Sequence, residues 1–206
     1  GMFYILNQED MSIYAIHDLG DEIWGAPAID DFDNDGNYDI AITCKNNMFY
    51  ILNHLGEIVY SHDTESYLLA SPAVGEGYIN NNSQNKEIWV PTFDSNGKIL
   101  IYHNIDGNWN VFERSVNKKI QKGIALFDPN NDGITDWAYG TDDNTLEVSI
   151  LDQIDVYDVG GKVRSAPAII KFNENEYLII VPSKDDNMYG INPLTGNVQF
   201  IYETNG

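Results

Sequence analysis

The 206-residue chain is short of basic residues and nearly without cysteine. Eleven Lys+Arg stand against 32 Asp+Glu, a formal net charge of −21. A field of that sign repels phosphate backbones and anionic lipid, so no nucleic-acid partner and no membrane-surface attachment are expected. The single cysteine, Cys44, excludes an intrachain disulfide framework and a cysteine-based zinc site. His17, His54, His62 and His103 fall in no metal-ligand spacing. Apolar runs such as Tyr177–Pro182 fall far short of the ~20 residues that cross a bilayer, so no membrane insertion is expected. Gly-x-Ser-x-Gly elbows, phosphate loops and dinucleotide fingerprints are absent, which removes the commonest catalytic signatures. Gly1–Asp10 has neither the basic nor the apolar region of a secretory leader. No stretch carries a 3.6-residue apolar period, so helices are not expected. Apolar residues at 43% are nevertheless ordinary globular content and argue against disorder.

What the chain does have is an internal repeat. Met2-Phe3-Tyr4-Ile5-Leu6-Asn7 recurs unchanged as Met48-Phe49-Tyr50-Ile51-Leu52-Asn53, 46 residues on, and more loosely as Met188-Tyr189-Gly190-Ile191-Asn192. A second anchor appears as Gly25-Ala26-Pro27-Ala28, Ala70-Ser71-Pro72-Ala73, Lys122-Gly123-Ile124-Ala125 and Ser165-Ala166-Pro167-Ala168. After each anchor comes a short strand, an Asp/Asn/Gly turn and a strand apolar on both faces, such as Ile40–Cys44, Ile88–Val90, Trp137–Tyr139 or Leu178–Val181. An alternating strand and a fourth strand complete the unit. Strands apolar on both faces must be covered on both faces. Four-stranded units stacked around an axis achieve that, so the expected fold is an all-β propeller of blades about 45 residues long. The whole chain, 1–206, reads as one such domain. Residues 2–24 form a half-blade, and 25–69, 70–121, 122–164 and 165–206 are whole blades. Beginning in mid-blade favours a segment of a longer propeller. It also leaves two terminal blade faces, which are expected to cover each other within a short ring or to self-associate between chains.

Two turns carry a sharper motif at the same place in their repeats. One is Asp31-Phe32-Asp33-Asn34-Asp35-Gly36-Asn37-Tyr38-Asp39 and the other Asp128-Pro129-Asn130-Asn131-Asp132-Gly133-Ile134-Thr135-Asp136. A hard cation takes six to eight oxygens. Asp31, Asp33 and Asp35, and likewise Asp128, Asn130 and Asp132, aim alternate side-chain oxygens at one centre. Gly36 and Gly133 permit the bend, Asn37 and Ile134 offer backbone carbonyls, and Asp39 and Asp136 close the set. Two Ca²⁺ ions are the expected cofactors. Ile42 and Tyr139 stand where an EF-hand needs its acidic twelfth ligand, and strands flank both loops, so the EF-hand reading fails. An acidic, solvated turn is the plain alternative, against which four carboxylates in one nine-residue turn repel without a counter-ion. Glu76 and Glu87 align with Asp31 and Asp39 but lack the spacing, and Lys171 stands where Asp31 stands.

At these residues the sequence resembles the FG-GAP repeats of integrin α-chain propellers and the related bacterial VCBS-type repeats. Gly25-Ala26-Pro27 stands for that family's Gly-Ala-Pro, and the two aspartate loops look like its calcium loops. The stretch Met188–Gly196 is also similar to quinoprotein-type repeats. The resemblance implies extracellular, cell-surface or periplasmic placement, structural calcium and a non-catalytic role binding a protein or glycan ligand. The alternative function is the propeller part of a carbohydrate-active enzyme such as a polysaccharide lyase, which needs a basic or acid–base cluster on one face. A quinoprotein fragment would need a funnel of about eight blades, more than this chain supplies.

Among single residues, Cys44 reads as a buried small hydrophobe, and Trp89 and Trp137 as packing between blades. Trp109, beside Asp106-Gly107-Asn108, reads as an exposed turn residue able to stack on sugar, and Asn81-Asn82-Ser83 is a lone glycosylation sequon.

Overall fold

The computed structural model describes residues 1–79, 86–173 and 176–204. The sequon Asn81-Asn82-Ser83 therefore lies outside the described residues. The described residues contain strands and turns and no helix. In chain order the strands are β1 Met2–Leu6, β2 Ile13–Asp18, β3 Ala28–Asp30, β4 Asp39–Thr43, β5 Met48–Leu52 and β6 Ile58–Asp63. There follow β7 Ala73–Glu76, β8 Lys86–Pro91, β9 Lys98–Ile105, β10 Asn108–Ser115, β11 Ile124–Phe127 and β12 Asp136–Gly140. The last six are β13 Thr145–Ile150, β14 Gln153–Asp158, β15 Ala168–Asn173, β16 Glu176–Pro182, β17 Asn187–Ile191 and β18 Val198–Glu203.

They form four antiparallel meanders of four strands, β3 to β6, β7 to β10, β11 to β14 and β15 to β18, preceded by the two-stranded pair β1–β2. Each meander's second strand, β4, β8, β12 or β16, is the apolar one and is mostly buried; β4, β8 and β12 have a neighbouring sheet on each side. The first strands sit side by side, β3 against β7, β7 against β11 and β11 against β15, which puts them nearest a common axis. There the repeated small-residue anchors meet. A Cβ on Gly25 would stand 2.7 Å from the carbonyl oxygen of Ala70, so only glycine fits. Ala26 N–H donates to Ser71 Oγ at 2.9 Å in the next anchor.

The core is divided among the sheet junctions. One cluster joins Phe49 and Ile51 to Ile88 and Tyr102, a second joins Trp89 and Ile101 to Trp137 and Tyr139, and a third joins Ala138 and Val148 to Ile179 and Val181. A fourth puts Phe3 and Ile5 of β1 against Ile42 and Leu52. Backbone bonds stitch three of the four linkers to the sheet that follows: Lys45 N to Glu22 O, Phe93 N to Tyr67 O and Lys184 N to Lys162 O. Trp89 and Trp137 pack 5.2 Å apart between two sheets, and Cys44 is fully buried with Sγ 3.3 Å from the carbonyl of Asp21. Trp109 differs from the sequence expectation. The turn ends at Gly107, so Trp109 lies in β10, half-buried and 5.8 Å from Tyr60. The exposed tryptophan is Trp24, with Lys45 and Lys122 over its ring.

Candidate metal centre

Both aspartate loops join the first strand of a sheet to its second. Asp31–Tyr38 runs from β3 to β4, and Asp128–Thr135 from β11 to β12. Their backbones fold alike because their first residues do the same work. Asp31 accepts from the N–H of Asp35 at 3.1 Å and of Gly36 at 3.0 Å, and Asp128 from Asp132 at 3.2 Å and Gly133 at 2.9 Å. Two left-handed residues make the bend in each: Asn34 and Gly36 at φ 60° and 90°, and Asn131 and Gly133 at 55° and 80°. Asparagine and glycine are the residues that tolerate this region.

In the first loop one carboxylate oxygen from each of Asp31, Asp33 and Asp39 lies within 4.8 Å of the others, the one such triplet among the described residues. Asp39 heads the buried strand β4, and its other contact is a 3.2 Å bond from Phe32 N–H. Burial first, and the charge of Asp33 second, push its carboxyl up to about 6. Asp136 is the counterpart in the second loop. Burial holds it up at about 7 against the lowering effect of a 2.9 Å bond from Leu151 N–H, and its Oδ2 is buried without a partner. Asn130 replaces one aspartate, and its amide donates to Asp132 at 3.0 Å. Asp35 accepts from the backbone and side chain of Asn37 at 2.7 and 3.0 Å. The donor set in both loops is all oxygen, which suits a hard cation and not a soft one. A buried carboxylate held partly protonated beside other carboxylates is what a dication would relieve.

In the two repeats without the motif, lysines stand close to the corresponding positions. Lys86 pairs with Glu76, the residue aligned with Asp31, and lies 3.9 Å from Asp30. Glu87 instead accepts from Ile79 N–H at 2.6 Å. Lys171 lies over the ring of Tyr177.

Sequence reading missed one cluster beside the second loop. A cleft of about 450 Å³ is lined by Tyr78, Phe112, Ile134, Trp137 and Leu151. Arg114 lies 4.7 Å above the Trp137 ring and donates to Tyr78 Oη at 3.0 Å and Asp152 Oδ1 at 2.8 Å. Leu151 and Asp152 form the two-residue turn between β13 and β14, both with positive φ, where Asn-Gly would be the usual signal.

No family model matches the chain, and no curated protein matches it by sequence. Solved structures match its fold. The crystal structure of BBS1N in complex with ARL6DN aligns with TM-score 0.66 at 16% identity, over 89% of this chain and 55% of that one. BamB from Moraxella catarrhalis gives 0.64 at 16%, over 93% and 53%. Saccharomyces cerevisiae Sqt1 gives 0.70 at 10%, over 96% and 54%. All three are β-propeller proteins, and the chain spans about half the length of each. At such identities the likeness is one of architecture: the chain is an all-β assembly of four-stranded antiparallel sheets arranged as in β-propellers.

Proposed function

We propose that the chain is a calcium-binding, non-catalytic β-propeller module of a secreted or surface protein, with 25–69, 70–121, 122–164 and 165–206 as its blades. The observation that carries the metal reading is the convergence of Asp31, Asp33 and Asp39 on one point, with Asp39 fixed at the head of a buried strand. When bound, the ion supplies positive charge at a blade turn, and the protein side holds the turn in the shape that the ion needs. A neighbour of the same fold, BBS1N, is in a complex with ARL6DN, which supports a protein ligand for this chain. The lyase alternative needs free positive charge to bind acidic sugar. Lys45, Lys98, Arg114, Lys118 and Arg164 are each paired with a carboxylate, which argues against it.

The test is titration calorimetry of metal-stripped protein with calcium and with magnesium, followed by glycan-array and polysaccharide-depletion assays with and without calcium. Saturable calcium heat without polysaccharide depletion supports the module. No calcium heat removes the metal reading, and depletion revives the enzyme reading.

A further inference from the structure

The junction between the β3–β6 and β7–β10 sheets is closed at its outer end by aromatic rings. Tyr60 of β6 lies 5.8 Å from Trp109 of β10 and 6.0 Å from Tyr102, within the core that the two sheets share. At the next junction Phe112 is the repeat equivalent of Tyr60, since Tyr60 lies opposite Ile51 and Phe112 opposite Ile101. Among the described residues of β14, none closes on Phe112 as Trp109 closes on Tyr60. The reason is hairpin length. Tyr102 lies opposite Ile88, and Ser149 holds the same place opposite Trp137. Beyond Tyr102–Val111 the β9–β10 ladder runs on for three pairs and carries Trp109. Beyond Ser149–Ile154 the β13–β14 ladder has one pair and then turns at Leu151-Asp152. The shorter hairpin stops before the place that a second Trp109 would fill, and the cleft of about 450 Å³ stands there.

The walls are apolar and in part bare. Phe112 is 44% and Leu151 64% exposed. The Tyr78 ring lies 6.1 Å from Phe112 and 5.3 Å from Trp137. Leu151 holds φ at 50°, a strained value for its side chain, and is fixed there by the bond from its N–H to Asp136 and by the grip of Arg114 on Asp152. Arg114, Tyr78 Oη and Asp152 satisfy one another, so the cleft calls for apolar surface more than for the hydroxyls of a sugar. Charge adds a second requirement. Asp136 and Asp152 line the cleft, and Asp128 and Asp132 lie within electrostatic reach of Asp136, against the one guanidinium of Arg114. A bound dication leaves negative charge in excess. We propose that the cleft takes an aromatic side chain of a partner polypeptide, flanked in the partner by basic residues, and seats it against Phe112 and Tyr78 as Trp109 is seated against Tyr60. The proposal takes from the module reading only that the ligand is a protein.

NMR titration of the full chain with the capped tripeptide Lys-Trp-Lys tests this, with Lys-Ala-Lys and Glu-Trp-Glu as controls, in chelator and again with calcium. Saturable shifts are expected at the amides of Tyr78, Phe112, Ile134 and Leu151. Glu-Trp-Glu should bind at least about tenfold more weakly, and Lys-Ala-Lys should not saturate. Phe112→Ala, at an exposed position, should stay folded by circular dichroism and weaken Lys-Trp-Lys at least about tenfold. Leu151→Gly removes a wall while relieving the left-handed strain, so it should melt no lower than the wild type and still bind more weakly. Tyr14→Ala, on the β1–β2 pair, should bind as the wild type does. Equal binding of Lys-Ala-Lys, undiminished binding by both cleft variants, or no saturation at ~10 mM peptide in either condition overturns the proposal. Saturable shifts at the same amides with methyl glucoside and none with the peptides overturn it in favour of a glycan. Absent peptide binding alongside saturable calcium heat removes this site and leaves the module reading standing, whereas peptide binding without calcium heat supports the site and removes the metal.

Discussion

Thr135 and Glu76 bond to each other in both directions. Thr135 Oγ1 donates to the Glu76 carbonyl at 2.6 Å and accepts from the Glu76 N–H at 2.9 Å, while Thr135 N–H adds a 3.2 Å bond to the same carbonyl. The last turn of the second aspartate loop is thereby fastened to β7 of the preceding sheet. The equivalent residue of the first loop, Tyr38, is 69% exposed, because the β1–β2 pair has no first strand to receive it. Thr135→Val removes both side-chain bonds and leaves the Glu76 N–H without a partner, so a loss of about 1–2 kcal/mol is expected in urea denaturation. Tyr38→Val should cost nothing measurable.

Calcium should stabilise the fold. Extracellular calcium modules bind at dissociation constants of about 10⁻⁴ to 10⁻³ M. At free calcium about tenfold above that, one site contributes roughly 1.4 kcal/mol and two about 3 kcal/mol. Thermal melting with chelator should then fall by roughly 6–12 °C. Asp31→Ala should remove about half of the response. Glu76→Ala, whose carboxylate serves Lys86, should leave the response intact. A melting curve indifferent to chelator, in protein already stripped of metal, contradicts both sites.

Acidity should compete with the metal. Asp39 and Asp136 are held up at about 6 and about 7, above an ordinary value of 3.8. The folded state therefore binds more protons than the unfolded state between about pH 4 and 7, so metal-free protein should lose stability as pH rises through that window. Calcium must displace those protons. Calorimetry near pH 6 in buffers of different ionisation enthalpy should show proton release, and the release should vanish near pH 8.5. Equal heats in all buffers at pH 6 would contradict the assignment of these two carboxylates.

The glycines of the loops can be tested apart from their charges. No heavy atom within 4 Å would meet a Cβ on Gly36 or Gly133, so alanine there adds backbone strain and no clash. Gly36→Ala and Gly133→Ala should each cost about 1–2 kcal/mol and weaken calcium binding, as the loop must hold its bend to bind.

The repeat made much of this architecture legible. The spacing of Met2–Asn7 and Met48–Asn53 and the recurring Pro-Ala anchors mark strand-length units that the structure shows as β1, β5 and the starts of β3, β7 and β15. The bend of the aspartate loops was legible because such turns are local: Asp31 and Gly36 bond across five residues. What was not legible depends on distant partners. Arg114 meets Tyr78 and Asp152 at separations of 36 and 38 residues, and no spacing rule announces that. The Leu151-Asp152 turn gave no signal because its left-handed pair lacks asparagine and glycine. Trp109 was misplaced by one strand boundary, since Asp106-Gly107 alone makes the turn and Asn108 already belongs to β10.

Because every hydrophobic cluster is shared between two consecutive sheets, each sheet's stability is a property of its neighbours. The β3–β6, β7–β10 and β11–β14 sheets are clasped on both sides, and the β1–β2 pair and the β15–β18 sheet on one side. Amide hydrogen exchange should therefore be graded along the chain. Protection should be greatest in β8 and β12 and fall toward β2 and β18, so that opening begins at the two ends and runs inward sheet by sheet.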